Sequence, residues 1–216
     1  MTKKEQITRV IVMLAGLVIY QLGISILILS DFGPDPFNVL VQGFRNSMNV
    51  ENLSFLPYGC VHIIVSALIT FMLFLINRNF VKLGTILCML LGGPLIDLFT
   101  LILTPVYEQY PDSTYFYMMF IGGFVMLTYG LSMMKHSKAG NVPAELLTDA
   151  FTSSKKKNSY FVGLAVSFVL AFAGFIMGGS IGFGTLLCMA AVSPFEEYFA
   201  PNLSKKIEEF VKKRIS

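Results

Sequence analysis

Long apolar segments alternate with short polar ones along this chain of 216 residues. The apolar segments are about 17–25 residues long, which is the length a helix needs to cross a hydrocarbon core of about 30 Å. A helix satisfies its own backbone amides in lipid, and these runs are too continuous for barrel strands. The pattern therefore predicts an all-α membrane protein with six transmembrane helices, at Val10–Leu29, Leu56–Ile76, Val81–Leu103, Tyr115–Met134, Tyr160–Met177 and Ile181–Phe199.

The chain also contains an internal repeat. The segment Leu22–Phe44 aligns without a gap on Tyr129–Phe151, and Leu83–Phe99 aligns on Phe183–Phe199. Each half holds three predicted spans, an odd number, so the second half enters the membrane from the opposite side. The sequence thus predicts an inverted repeat, an architecture of many carriers whose site lies where the halves meet. A stable bundle without transport is the alternative, because gene fusion also creates such repeats.

The distribution of charge predicts the orientation of the chain. Lysine and arginine cluster before the first span, in the second and fourth connections and in the tail, whereas the other connections are acidic or uncharged. By the positive-inside rule, both termini of this multi-pass protein are expected in the cytoplasm, with the chain in the plasma membrane. The predicted segments are the N-terminus (1–9), the first repeat (10–104), an outer linker (105–114), the second repeat (115–199) and a basic amphipathic tail (200–216).

Composition supports a bilayer environment. Only 13% of residues are charged, compared with roughly 25% in soluble proteins, while 55% are apolar and the mean hydropathy is +0.69. The formal charge of +3 fits contact with the inner leaflet of the membrane. The sequence shows no pattern of aromatic and basic residues that would predict nucleic-acid binding. Cys60, Cys88 and Cys188 lie within predicted spans without metal-ligand spacing, so we expect packing roles and neither a metal nor a cofactor.

A break in each half follows the first span. Gly33 precedes Pro36 by three residues, and Gly140 precedes Pro143 by three. Glycine permits a sharp exit from a helix, and proline is favoured in the first turn of the next one. The breaks predict short helices over 34–45 and 143–152, and ten residues of helix rise only about 15 Å, half a bilayer. Such a half-helix either re-enters the membrane or lies at its surface, and the sequence leaves both open.

The short helices carry polar residues on one face. Asn38 and Gln42 are four residues apart, as are their repeat equivalents Glu145 and Asp149. If the helices re-enter the membrane, this face lines a cavity, and the helix N-termini offer a positive dipole end that suits an anionic group. If they lie at the surface, the same residues sit in headgroup water.

Further candidates lie in the third span of each half. The pairs Gly84-Thr85 and Gly184-Thr185 begin these spans and either allow a solute to approach or simply allow tight helix packing. Asp97 lies within the third span, where a carboxylate costs a few kcal/mol and usually faces a cavity or a partner. His62 either pairs with Asp97 or is a packing histidine.

Three motifs resemble a known family. Gly33-x-x-Pro36-Phe37-Asn38, Gly140-x-x-Pro143-x-Glu145 and the glycine-rich run 178–185 are similar to the YczE/YyaS/YitT family of bacterial integral membrane proteins. That family usually has an aspartate where this chain has Asn38 and Glu145. The resemblance implies a multi-pass plasma-membrane protein with a transport role, and it carries over no substrate.

These observations together predict a secondary carrier for a small polar, anionic or zwitterionic solute, with or without a coupling cation, at the interface of the repeats. A channel and a membrane scaffold or regulator are the alternatives, the last through an apolar stripe of Ile207, Phe210 and Val211 in the tail. A homo-oligomer is compatible with any of them. An enzyme is not expected, because one intramembrane histidine and no His-x-x-x-His pattern offer little chemistry.

Overall fold

A computed structural model describes residues 3–48, 57–109, 113–155 and 159–215. Those residues form helices and connecting turns and include no strand. The helices are α1 (Lys3–Leu29), α2 (Pro36–Ser47), α3 (Tyr58–Ile76), α4 (Leu83–Gln109), α5 (Ser113–Ser137), α6 (Pro143–Lys155), α7 (Ser159–Ile176) and α8 (Phe183–Ile215), with a short 3-10 turn at Arg78–Phe80. Some of the charged residues in the connections between predicted spans lie outside the described residues, namely Glu51, Asp112, Lys156 and Lys157.

Five helices, α1, α3, α4, α5 and α7, are long and apolar enough to cross a membrane. The all-α membrane class is therefore confirmed. The sixth predicted span forms the first part of α8, a helix of 33 residues whose Glu196 and Glu197 lower its average hydropathy. Helices α4 and α8 both continue past the predicted span ends, because hydropathy marks the edge of the lipid and not the end of a helix.

Helices α1 and α5 cross at very short distance through glycines. Gly16 packs on Gly130, and Gly23 packs on Gly123. Because the partner numbers fall as the α1 numbers rise, the two helices run antiparallel. A β-carbon on Gly23 would lie 2.5 Å from the backbone nitrogen of Leu127, so a larger residue cannot enter without separating the backbones.

The helices share two apolar cores. One joins α1, α4, α5 and α8 and includes the buried thiols of Cys88 and Cys188. The other joins the short helices α2 and α6 to α3 and α7. Each short helix therefore packs one apolar face against α3 and α7 and is not an isolated segment.

Each chain break packs against the start of a third-span helix in the opposite half. Gly33, with a φ of 98°, touches Gly182 and Thr185, and Gly140, with a φ of 157°, touches Gly84. The Thr185 hydroxyl donates a hydrogen bond of 2.7 Å to the carbonyl of Pro34. These glycines thus serve close backbone packing, which was the simpler of the two interpretations of the Gly-Thr pairs.

The C-terminal part of α8 folds onto α1. Leu203, Ile207 and Val211 pack with Val12 in a small apolar cluster. The expectation that Ile207 and Val211 offer a stripe to lipid or a partner is therefore wrong, because α1 already covers them; Phe210 remains exposed.

Ion pairs hold the same segment of α8 in place. Arg9 donates to the Glu208 carboxylate at 3.1 Å and to the carbonyl of Ser137 at 3.3 Å. Hydrogen bonds from Lys138 and Arg9 lower the pKa of Glu208. This network ties the C-terminal end of α8 to both α1 and the end of α5.

We expect Gly23→Ala to lower the free energy of unfolding by about 1–3 kcal/mol through overpacking at the α1 crossing. Gly122→Ala is the matched control, because nothing lies within 4 Å of a β-carbon at Gly122. Thermal unfolding of both variants in detergent measures the difference. Equal melting temperatures for the two variants would show that the crossing is not a close contact.

Candidate functional site

A small central cavity lies between the two halves of the chain. Its volume is about 40 Å³, which admits water or a small cation, since one water occupies about 30 Å³ of liquid. Tyr20 of α1 and Leu127 of α5 line it near the glycine crossing. The first residues of both short helices, Pro36 with Phe37 and Ala144 with Glu145, line it as well. The half-helices therefore begin beside the middle of α1 and not beside its ends.

The cavity contains two carboxyl groups and no basic side chain among the residues that line it. Asp35 comes from the first half and Glu145 from the second. The other polar residues are Tyr20, Thr148, Ser167 and Ser193, which are all neutral. The cavity therefore favours a positively charged group over a negatively charged one.

Asp35 is the N-cap of α2, and two side chains hold it in place. Its carboxylate accepts a hydrogen bond of 3.2 Å from the amide of Phe37 and another from the side-chain amide of Asn38. Tyr58 in turn donates a hydrogen bond of 2.9 Å to the Asn38 side-chain oxygen. The positive end of α2 is thus already compensated by its own capping residue, so an anionic solute there would meet a carboxylate.

Glu145 lies in the first turn of α6 and faces a more complex surrounding. Asp149 follows it by one turn and lines a second cavity of about 300 Å³ together with Lys82 and Lys135. The Lys135 ammonium lies 3.0 Å from the carboxylate of Glu196, which is buried. Basic and acidic groups are therefore paired beyond Glu145, whereas no basic side chain lines the central cavity.

A third cavity, of about 530 Å³, lies near the start of α3 and is lined by Arg45, Tyr58 and Asp97. Both oxygens of Asp97 accept hydrogen bonds from the amide of Gly59, at 2.9 and 3.0 Å. Asp97 thus satisfies a free amide at the N-terminus of α3, and it does not reach the central cavity.

The cavities of about 530 and 300 Å³ lie near opposite ends of α3. Tyr58 begins α3 and lines the cavity of about 530 Å³, whereas Asn79 and Phe80 follow its end and line the one of about 300 Å³. The hydrogen-bonded residues Tyr58, Asn38 and Asp35 separate the first of these from the central cavity. One turn of α6, from Glu145 to Asp149, separates the central cavity from the other.

The candidates from the sequence are only partly gathered at this site. Pro36 and Glu145 line the central cavity, and Asn38 is bonded to Asp35 beside it. Gln42 instead accepts a hydrogen bond from the amide of Ser180. The others lie apart, with Pro143 in the first turn of α6, Asp149 and Asp97 in the flanking cavities, and Gly33, Gly140, Gly84, Thr85, Gly184 and Thr185 at the breaks.

Sequence reasoning missed Asp35 and Tyr20 as site residues. Asp35 directly precedes Pro36, and aspartate followed by proline is a recognised N-cap signal, so this residue could have been found. Tyr20 is the one aromatic residue of α1, but nothing in the local sequence marks it as a site residue, since only the packing of six helices brings it to the cavity.

Comparison with known proteins defines the family of the chain. A family of unknown function (DUF6198) matches residues 7–201. The chain is also 31% identical over 186 residues to the Bacillus subtilis (strain 168) protein described as "Uncharacterized membrane protein YczE", which covers 86% of this chain and 82% of that protein. The chain belongs to the YczE family. The match spans every residue that lines the central cavity, and no solved structure matches the chain.

Membership of the YczE family confirms the resemblance that the glycine and proline motifs suggested, and it makes the chain a membrane protein.

We expect Lys135→Met to destabilise this YczE-family protein by about 1–3 kcal/mol, because it leaves the buried Glu196 carboxylate without its partner. Lys138→Met is the control, since its pair with Glu208 is exposed and contributes little. Thermal unfolding in detergent compares the two variants. An unchanged melting temperature for Lys135→Met would contradict a stabilising pair between Lys135 and Glu196.

Proposed function

We propose that this protein is a six-span inverted-repeat carrier, and that its central cavity binds the cationic group of a small solute. One observation carries the proposal: a carboxyl from each half, the buried Asp35 and the half-buried Glu145, lines one cavity that has no basic lining residue. Carboxyl groups within the spans of a membrane protein are costly, and they usually face a cavity or mark an ion or substrate pathway.

Several contacts support the inverted repeat. Helices α1 and α5 are antiparallel, and Gly16 contacts Gly130 while Gly23 contacts Gly123. Gly123 and Gly130 are the repeat equivalents of Gly16 and Gly23, so the two contacts are reciprocal. The two breaks have positive φ values at equivalent residues, Asp31 and Lys138 as well as the glycines. Each break also packs on the opposite half. These reciprocal contacts are expected if a two-fold axis in the membrane plane relates the halves.

The position of the short helices supports re-entry into the membrane over a surface location. Their N-termini meet beside Tyr20, which lies between the two α1 glycines of the crossing. Half-helices that meet at mid-depth are a common way to build a substrate site in transporters, because irregular backbone is tolerated where it lines a cavity.

The electrostatics narrow the class of solute. The N-termini of the two half-helices would by themselves favour an anionic group on the solute. The acids at both N-termini instead favour an amine, a proton or a sodium ion. A zwitterion remains compatible through its amino group, and the coupling cation would use the same carboxyls. A cavity of about 40 Å³ holds no more than the head of such a solute, so the site has to widen during a transport cycle.

Contacts at the two sides of the cavity would alternate in that cycle. On one side, Asn46 donates a hydrogen bond of 2.7 Å to the carbonyl of Gly178, and Gln42 bonds to Ser180. On the other side, Lys82 donates to the carbonyl of Lys138 at 3.2 Å. These three bonds are exposed, so water can replace either partner when a side opens while the glycine crossing stays fixed.

The inverted repeat predicts that the ends of α2 and α6 face opposite compartments. Single cysteines at Ser47 and at Lys155, in a Cys60→Ser background that removes the exposed thiol, should react with a membrane-impermeant maleimide from opposite sides of intact cells. Ser47→Cys is expected to label from outside and Lys155→Cys only after lysis. Labelling of both from one side would rule out the inversion.

The carboxyls should be required for transport. In proteoliposomes loaded with a panel of small amines and amino acids, we expect counterflow of at least one amine-bearing solute, and a fall of at least tenfold in Asp35→Asn and Glu145→Gln. Glu197→Gln is the control, because that carboxyl is exposed. Asp97→Asn should lower thermal stability through the lost α3 cap and leave the apparent affinity unchanged.

Two results would contradict the carrier. One is the absence of counterflow for every amine and amino acid in a preparation that is folded by size-exclusion chromatography. The other is uptake by Asp35→Asn and Glu145→Gln at the rate of the Glu197→Gln control.

A further inference from the structure

Beside the central cavity lies a group of buried polar side chains without partners. Gln21 of α1 and Ser66 of α3 are fully buried, and His62 of α3 is 4% exposed. Both amide atoms of Gln21, Nδ1 of His62 and the hydroxyl of Ser66 have no hydrogen-bond partner among the described residues. A buried polar atom left unpaired costs about 1–3 kcal/mol, so four of them in one place require an explanation.

These side chains converge on one place, which we call the α1–α3 niche (Gln21, His62 and Ser66). A β-carbon on Gly92 would lie 2.6 Å from Nε2 of Gln21 and 3.6 Å from Nδ1 of His62. Ser66 follows His62 by one helical turn on the same face of α3. The absence of a side chain at Gly92 thus leaves the polar atoms of α1 and α3 facing one another.

The other half of the chain shows that the fold does not need this polarity. Helices α3 and α7 end at Ile76 and Ile176, with the same offset of 100 residues that aligns Leu83–Phe99 on Phe183–Phe199. This offset places Val162, Val166 and Val192 at the positions of His62, Ser66 and Gly92. Thr128, the equivalent of Gln21, already donates to a carbonyl of its own helix. The equivalent niche is therefore apolar or satisfied, and the polar one has a reason beyond folding.

The niche adjoins the proposed binding site. Tyr20 lines the central cavity and precedes Gln21 on α1. Phe37 also lines the cavity, and its ring meets the His62 ring edge to face at a centroid distance of 5.2 Å. The Phe37 side chain thus contacts both the acidic cavity and the neutral polar niche, and it would have to move for one solute to reach both.

We infer that the α1–α3 niche is a second subsite of the same binding site, and that it binds a neutral hydroxyl or carboxamide group of the solute. The niche offers donors and acceptors and no formal charge, which fits a group that both donates and accepts hydrogen bonds. The inference rests on the proposed function, and it defines the solute as a small amine that carries a hydroxyl or amide at its other end.

A matched pair of probes tests the subsite. 3-Amino-1-propanol and n-butylamine have the same number of heavy atoms and the same ammonium group, and differ in a hydroxyl against a methyl. We expect the purified protein to bind the amino alcohol about tenfold more tightly, the value of one good hydrogen bond, by isothermal titration calorimetry.

Variants that copy the second half test the residues. His62→Val and Ser66→Val introduce the residues found at the equivalent positions of α7, and they should reduce the preference to about onefold while the melting temperature stays equal or rises. Thr70→Val is the control, because its buried hydroxyl is already bonded to the Ser66 carbonyl and does not belong to the niche; it should keep the preference.

The outcomes separate the two claims. Equal binding of the two probes by the wild-type protein would overturn the subsite and leave the carrier intact, with an ordered water as the occupant of the niche. If His62→Val and Ser66→Val lower the melting temperature as much as Gly23→Ala does and still prefer the amino alcohol over n-butylamine, the niche is structural and not a subsite. Binding of neither probe, together with no counterflow, would overturn the proposed function and the subsite with it.

Discussion

The antiparallel crossing of α1 and α5 fixes the positions of the other helices. Four glycines allow the two backbones to touch at positions on either side of Tyr20 and Leu127. Because the backbones are in contact, the space beside the crossing is set by the side chains next to the glycines and not by flexible packing. The central cavity forms in that space, and the short helices can reach it only because the breaks pack on the opposite half at backbone distance.

Acidic residues at the starts of the short helices decide the character of the site. A bare helix N-terminus attracts anions, but in α2 the carboxylate of Asp35 accepts a hydrogen bond from the amide of Phe37, and Glu145 adds a second carboxyl group in α6. Carboxyl groups therefore occupy the positions where a bare helix N-terminus would hold an anion. Lys135, the nearest basic residue described above, is already paired with Glu196 and does not line the central cavity.

The two halves share the positions of their glycine and proline breaks and differ in the side chains beside them. The acid stands before the proline in the first half and two residues after it in the second, so that Asp35 is equivalent to Val142 and Asn38 to Glu145. Helix α3 carries His62 and Ser66 where α7 carries Val162 and Val166. Under the proposed function, this asymmetry would let a solute with two different ends bind in one orientation.

The sequence by itself determined the membrane class, the family, the repeat and the two breaks, since these depend on local composition and on glycine and proline, whose backbone preferences act within a few residues. It also predicted the start of α6 at Pro143, and it predicted the start of α2 at residue 34, two residues before the observed start at Pro36.

Only the tertiary structure decided which polar residues meet. It brought Asp35 and Glu145 together and left Gln42, Asp97 and Asp149 elsewhere. It also buried Ile207 and Val211 on α1. The reason is physical: helical periodicity predicts which residues share a face of one helix, but which faces meet depends on close contacts, such as the glycine crossing, between residues a hundred positions apart.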